Sequence, residues 1–178
     1  MPTNYQTFWP RFWALFIDGL VFAPVAFFDG YFTSPERGPV VIIAWTAVTY
    51  ALLPVYNVLL HARYGQTLGK MATRVKVLDL SEGHIPTLRQ AFLREIVQIT
   101  LYALDLCVVV YLAVTGEYAL ADKLLSLPGR IWIYLAAGAL VAELAVMASN
   151  DKRRALHDCI AGTVVVRLFR QLASGATR

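Results

Sequence analysis

Cysteine is scarce in this chain: only Cys107 and Cys159 occur among 178 residues. They form no CxxC pair, so neither a disulfide framework nor a thiolate zinc site follows from them. Histidine is equally sparse. His61, His84 and His157 stand in separate segments without ligand spacing, which gives no support for a metal site. No Ser–His–Asp or Cys–His set points to nucleophilic catalysis, and the chain reads as a non-enzyme without cofactors. Charge is low as well: Asp, Glu, Lys and Arg make up 16% of the residues, against about 25% in an ordinary soluble domain. The first ten residues hold no Lys or Arg, and no small-residue cleavage site follows the first apolar run. This reads as an uncleaved first span rather than a removed signal peptide.

What is present is apolar. Hydrophobic residues form 58% of the chain, with a mean hydropathy of +0.55. Four stretches are long enough to cross the roughly 30 Å hydrocarbon core: 11–32, 40–60, 92–114 and 131–148. The first organises the rest. It places Arg11, Asp18 and Asp29 at whole-turn spacings, so all three project from nearly one face of an otherwise apolar helix. A carboxylate at bilayer depth costs roughly 2.5 to 3.5 kcal/mol on insertion scales, so that face requires cover. Phe8, Trp9, Phe12 and Trp13 around Arg11 form an interfacial aromatic belt. Pro24 should bend the first span or loosen its backbone bonding, and Pro54 stands near the end of the second.

The polar segments add a second level. After the second span comes GQTLGK, Gly65 to Lys70. Val75, Val77 and Ile85 then flank an Asp/Ser/Glu/Gly turn, which predicts a short hairpin. The β-prone run Val164 to Val166 is a candidate partner for the Val75 region, giving strands at 74–79 and 163–167. A short helix is expected at 118–127, and the tail at 171–178 reads as frayed. Gly138 and Ala142 make a small-xxx-small pair suited to close helix approach.

Basic residues set the orientation. With both termini and the 61–94 region on one side, thirteen of the 16 Lys and Arg fall there, and Arg37, Lys123 and Arg130 fall on the other. The positive-inside rule places that basic side in the cytoplasm. The net charge of +4 is thus a topological signal rather than a sign of nucleic-acid binding. The predicted fold is an all-α integral membrane protein, a four-helix transmembrane bundle with a small cytoplasmic β-strand cap and both termini cytoplasmic. It forms one domain over residues 1–170.

Arg11 opening the first helix, Asp18 within it, GQTLGK after the second, and the RxLHDxxAGT pattern at Arg154 to Thr163 together resemble the RDD family of bacterial membrane proteins. The family is named for one arginine and two aspartates. Arg11 and Asp18 match two of them, and Asp158 matches the second aspartate. Asp29 has no counterpart in that pattern. The resemblance implies a helical, multi-pass domain in a bacterial inner membrane, and cation/proton exchange has been suggested for some members.

Each polar candidate has two readings. Asp18 is a cation or proton site, or a buried partner for an arginine, a tyrosine of the second span or a backbone donor. Arg11 lies about 10 Å along the axis from Asp18 and either reaches inward or snorkels outward. Asp29 reads as a solvated helix end. Asp105 and Glu143 sit deep by position; convergence with Asp18 would make a protonatable acidic core, and otherwise each pairs with Tyr, Thr or Asn of a neighbouring helix. GQTLGK is no phosphate loop, having three residues between its glycines and Met71 after Lys70. It reads as a compact surface turn in which Gln66 and Thr67 satisfy helix ends, Leu68 and Gly69 follow, and Lys70 meets lipid headgroups. DKRRALHD places Asp151, Arg154 and Asp158 on one side of a helix. There the carboxylates clamp Arg154, or Asp158 ties the tail to Arg11 or Arg94.

Two functions fit. The first is a small ion or solute transporter, a cation/proton exchanger, with Asp18, Asp105 or Glu143 in its path. Four helices are few for such a protein, so a homo-oligomer or another membrane protein is the expected partner, beside the lipid bilayer. The second is a non-catalytic membrane scaffold that docks a partner through its basic cytoplasmic face.

Overall fold

The computed structural model describes residues 5–117, 138, 141–143 and 145–168. The expected helix at 118–127, most of the expected fourth span at 131–148 and the tail at 171–178 lie outside the described residues. Three helices are long and apolar enough to cross a membrane: α1 (Phe8–Phe32), α2 (Pro39–Tyr64) and α4 (Leu88–Thr115). Between α2 and α4 come a one-turn helix, α3 (Leu68–Ala72), and strand β1 (Val75–Asp79). A short helix, α5 (Leu156–Ala161), and strand β2 (Thr163–Arg167) follow.

The long helices start where the chain supplies stop and start signals. Pro39 opens α2, where a missing N–H costs nothing, and Gly65 closes it in the left-handed region at φ 70°. Thr87 caps α4 in a box with Gln90, which satisfies two of its orphan N–H groups. The helices begin or end a few residues beyond the apolar stretches themselves, because these signals lie in the flanking polar residues.

α1 leaves the polar end of the molecule, a 3₁₀ turn at Pro35–Arg37 reverses the chain, α2 returns, and α4 leaves again. At the far end Trp45 stacks on Phe32 at 4.2 Å and donates Nε1–H to Asp29 at 3.0 Å. Asp29 is therefore exposed but partnered across the α1–α2 turn.

β1 and β2 pair antiparallel, from Val75 opposite Arg167 to Asp79 opposite Thr163. Val75, Val77 and Val165 are fully buried together on one face of this ribbon, and Val164 is fully buried on the other. Each contributes about 1.5 to 3 kcal/mol on an area basis, which a two-stranded sheet needs because it is marginal alone. The predicted hairpin around Ile85 is corrected: the ladder partner of β1 is β2, and the 79–84 segment closes only as a tight turn through Asp79 N–H to His84 O. The Val-rich run of β2 supplies a buried face that the exposed Ile85 segment lacks. A second correction concerns the DKRRALHD segment. It is not one helix, since α5 begins only at Leu156 and Arg153 stands at φ 46°.

Candidate functional site

The polar residues gather in three connected places. The first is the GQTLGK turn. Asp18 is buried, and its carboxylate accepts from Thr67 Oγ1 at 2.6 Å, Gly69 N–H at 2.8 Å and Tyr56 Oη at 2.8 Å. Thr67 is the N-cap of α3, so Asp18 holds the start of that helix against α1. The approach is close: a Cβ on Gly69 would lie 2.0 Å from the Ala14 carbonyl oxygen. Gly65 has a similar constraint, since a Cβ there would meet Val77 O at 2.6 Å. Both glycines of the motif are thus places where backbone meets backbone. Gln66 donates to Val75 O at 2.8 Å and joins the turn to the sheet. Leu68 is exposed, and its N–H donates to Tyr56 Oη at 2.9 Å.

The second is an ionic clasp. Asp158, fully buried, pairs with Arg11 at 2.6 Å and with Arg94, and accepts from Ala155 N–H at 3.0 Å. Arg94 also donates to Thr163 Oγ1 at 2.7 Å, and Arg11 to Thr7 Oγ1 at 3.1 Å. One carboxylate therefore joins α1, α4 and α5. Burial alone would raise the Asp158 carboxyl, but the Arg94 and Arg11 charges outweigh it and hold it well below the usual carboxylate range. Arg11 does not snorkel outward, because a buried carboxylate lies within its reach. Arg154 is not clamped by carboxylates. It donates to the carbonyls of Thr163, Asp158 and Cys159 and so satisfies the end of α5.

Lys70 lies against this clasp rather than facing headgroups, which corrects its sequence assignment. Its Nζ is 2.6 Å from His61 Nε2. Burial and then the charge of Arg94 lower the Lys70 amine to about 7.

The third place is the seam between α2 and α4. Along α4, Glu95, Gln98, Tyr102 and Asp105 recur at spacings of three and four, and along α2 so do Thr46, Tyr50, Asn57 and His61 by whole turns. Asn57 donates to Glu95 at 3.1 Å, and Gln98 to Tyr102 Oη at 2.6 Å. Tyr50 stacks on Tyr102 with ring centres 4.7 Å apart and donates to Asp105. From Glu95, next to Arg94 of the clasp, the row reaches Asp105 about 15 Å further along α4.

Asp18, Asp105 and Glu143 do not share a site: of the two readings, an acidic core or separate pairing, the hydrogen bonds follow the second. Asp18 binds α3, Asp105 binds Tyr50, and Glu143 binds His157 Nδ1 at 2.8 Å and Leu156 N–H at 3.1 Å. Each found a nearby donor whose hydrogen bond relieves its burial without gathering like charges. The residues that sequence reasoning missed are His61, Asn57, Glu95, Gln98 and Tyr102. Their signal was present as polar positions repeated at helical spacing inside apolar runs. Among the described residues no group of His, Cys, Asp and Glu is placed to hold a metal ion.

α1, α2 and α4 are of membrane-crossing length, and a buried ionic clasp ties α1 and α4 to the cap end of the chain, an arrangement of the helical membrane-protein class. The RDD family model matches residues 5–162, and the chain belongs to the RDD family. Arg11 and Asp158 form the clasp, and Asp18 anchors α3. No curated protein and no solved structure matches the chain.

Proposed function

We propose that the protein is a small cation/proton transporter whose path follows the α2–α4 seam. The observation that carries this reading is the row of polar side chains along the seam, with Asn57 on Glu95, Gln98 on Tyr102, and Tyr50 on Tyr102 and Asp105. Lipid-buried helices pack adequately through apolar and small residues, and each ionisable group at depth is costly. A line of them is better explained by passage of an ion than by packing. In this reading Asp105 is the deepest ion-binding group and Glu95 the entrance. Asp18, Arg11, Asp158 and Arg154 are structural, because their polar capacity is spent on α3, α4 and α5. Glu143 secures α5. The protein sits in a bacterial inner membrane with both termini and the cap in the cytoplasm, catalyses no reaction, and works as an oligomer.

The test is flux in proteoliposomes carrying a pH-sensitive dye. Asp105→Asn should insert and fold but lose pH-dependent cation flux, whereas Asp18→Asn should lose stability and keep flux per folded molecule. A scaffold that docks partners through its basic face would show no flux in any variant.

A further inference from the structure

His61 and Lys70 present an unusual contact. Two nitrogen bases face one another at 2.6 Å, one at the end of α2 and one in α3. At that distance only one proton can lie between them, so they cannot both point a donor at the contact. His61 is 1% exposed, and among the described residues its Nδ1 has no hydrogen-bond partner. A histidine tautomer is ordinarily set by what the other ring nitrogen binds. Among the described residues only Lys70 is placed to set it.

We propose that His61 and Lys70 form a proton-binding site at the inner end of the seam, in which the imidazole relays a proton to the amine. In the empty state the ring carries its proton on Nε2 and donates it to the neutral Lys70 Nζ, leaving a bare lone pair on Nδ1. A proton arriving at Nδ1 lets the Nε2 proton pass to Lys70. The result is an ammonium that donates to a neutral ring protonated on Nδ1. One proton has been gained, and no other bond has changed. The pair is faced by charged and titratable groups from the packed elements: Arg11 of α1, Arg94 and Glu95 of α4, and Asp158 and His157 of α5. Arg94 and Arg11 oppose the added charge, while Asp158 and Glu95 favour it. Burial first, and then that balance, brings the Lys70 amine to about 7, within the range where a proton is both taken up and released. The site's place in a transport cycle rests on the seam reading, but its existence does not.

The experiment uses the full-length protein in detergent micelles, labelled with ¹⁵N-histidine and ¹⁵N-lysine. With three histidines in the chain, loss of one signal in His61→Gln assigns the ring. The His61 ring signals should switch tautomer with a midpoint near 7, and the Lys70 Nζ signal should change at the same midpoint. In Lys70→Met and in Lys70→Gln the His61 switch at that midpoint should vanish. Either variant suffices if the other does not fold. Lys70 remaining charged above about pH 9, or the His61 switch persisting in a folded Lys70 variant, overturns the proposal. Proteoliposome flux separates the two ideas. A shared midpoint without flux keeps the site and removes the transport role, and flux without a shared midpoint does the reverse.

Discussion

Asp158→Asn removes the charge that joins three helices while keeping the side chain's size. Asp158 is fully buried, and its two partners are nearly so, with Arg11 and Arg94 side chains 14% and 2% exposed. The substitution leaves two guanidinium groups facing each other without a counter-charge. Breaking a buried pair by removing one partner costs about 3 to 5 kcal/mol, and here one carboxylate serves two cations, so the upper part of that range applies. The surface pair Lys152–Glu82 is the control. Its side chains are 39% and 33% exposed at 2.6 Å, and Glu82→Gln should cost less than about 1 kcal/mol. The assay is thermal or denaturant unfolding of purified protein in a fixed detergent, followed by intrinsic tryptophan fluorescence. The pH dependence carries the sign. Because the folded Asp158 carboxyl titrates below its unfolded value of 3.8, its contribution is complete above that value. It is lost as pH falls through the lower, folded value. Wild type should therefore lose stability below about pH 4, while Asp158→Asn loses less over that interval. A folded Asp158→Asn protein within about 1 kcal/mol of wild type at pH 7 would refute the clasp as the element that ties α1, α4 and α5 together.

Three further outcomes are expected. Gly69→Ala should destabilise by at least about 1 to 3 kcal/mol in the same unfolding assay, because its Cβ would meet the Ala14 carbonyl at 2.0 Å and the α1 backbone cannot yield that far. Asp18→Asn should cost about 1 to 3 kcal/mol, since an amide cannot accept from Thr67, Gly69 and Tyr56 together as the carboxylate does. In a background lacking Cys107 and Cys159, a cysteine at Ser34 should react with an impermeant thiol reagent in intact cells and one at Ser81 should not; the opposite pattern would invert the proposed topology.

The first three apolar spans and the pairing of the two Val-bearing strands were legible because both rest on simple patterns: long hydropathic runs and a β-branched segment buried from Thr163 to Val165. The glycines of GQTLGK were legible as a turn. Their purpose was not, since the close approach of Gly69 to Ala14 joins segments 55 residues apart in the chain. Lys70 illustrates the same limit. A lysine next to a membrane reads as a headgroup ligand, and only the fold shows His61 waiting for it. The 151–158 segment misled through spacing: residues three and four apart share a helix face only where there is a helix, and Arg153 in a left-handed conformation delays α5 until Leu156. The seam was hidden for another reason. Each of Asn57, Gln98 and Tyr102 is unremarkable in its own helix and becomes a line only when α2 and α4 lie together.

The central claim is that an ion crosses along that line. The most direct measurement is proton movement in liposomes reconstituted with purified protein, driven by an imposed sodium or potassium gradient and read from an internal pH dye. Wild type should acidify or alkalinise the lumen in the direction set by the cation gradient, and Asp105→Asn, inserted to the same level, should fall to the rate of empty liposomes. Cation-driven flux that is the same in wild type and Asp105→Asn, or absent from well-folded wild type, contradicts the account.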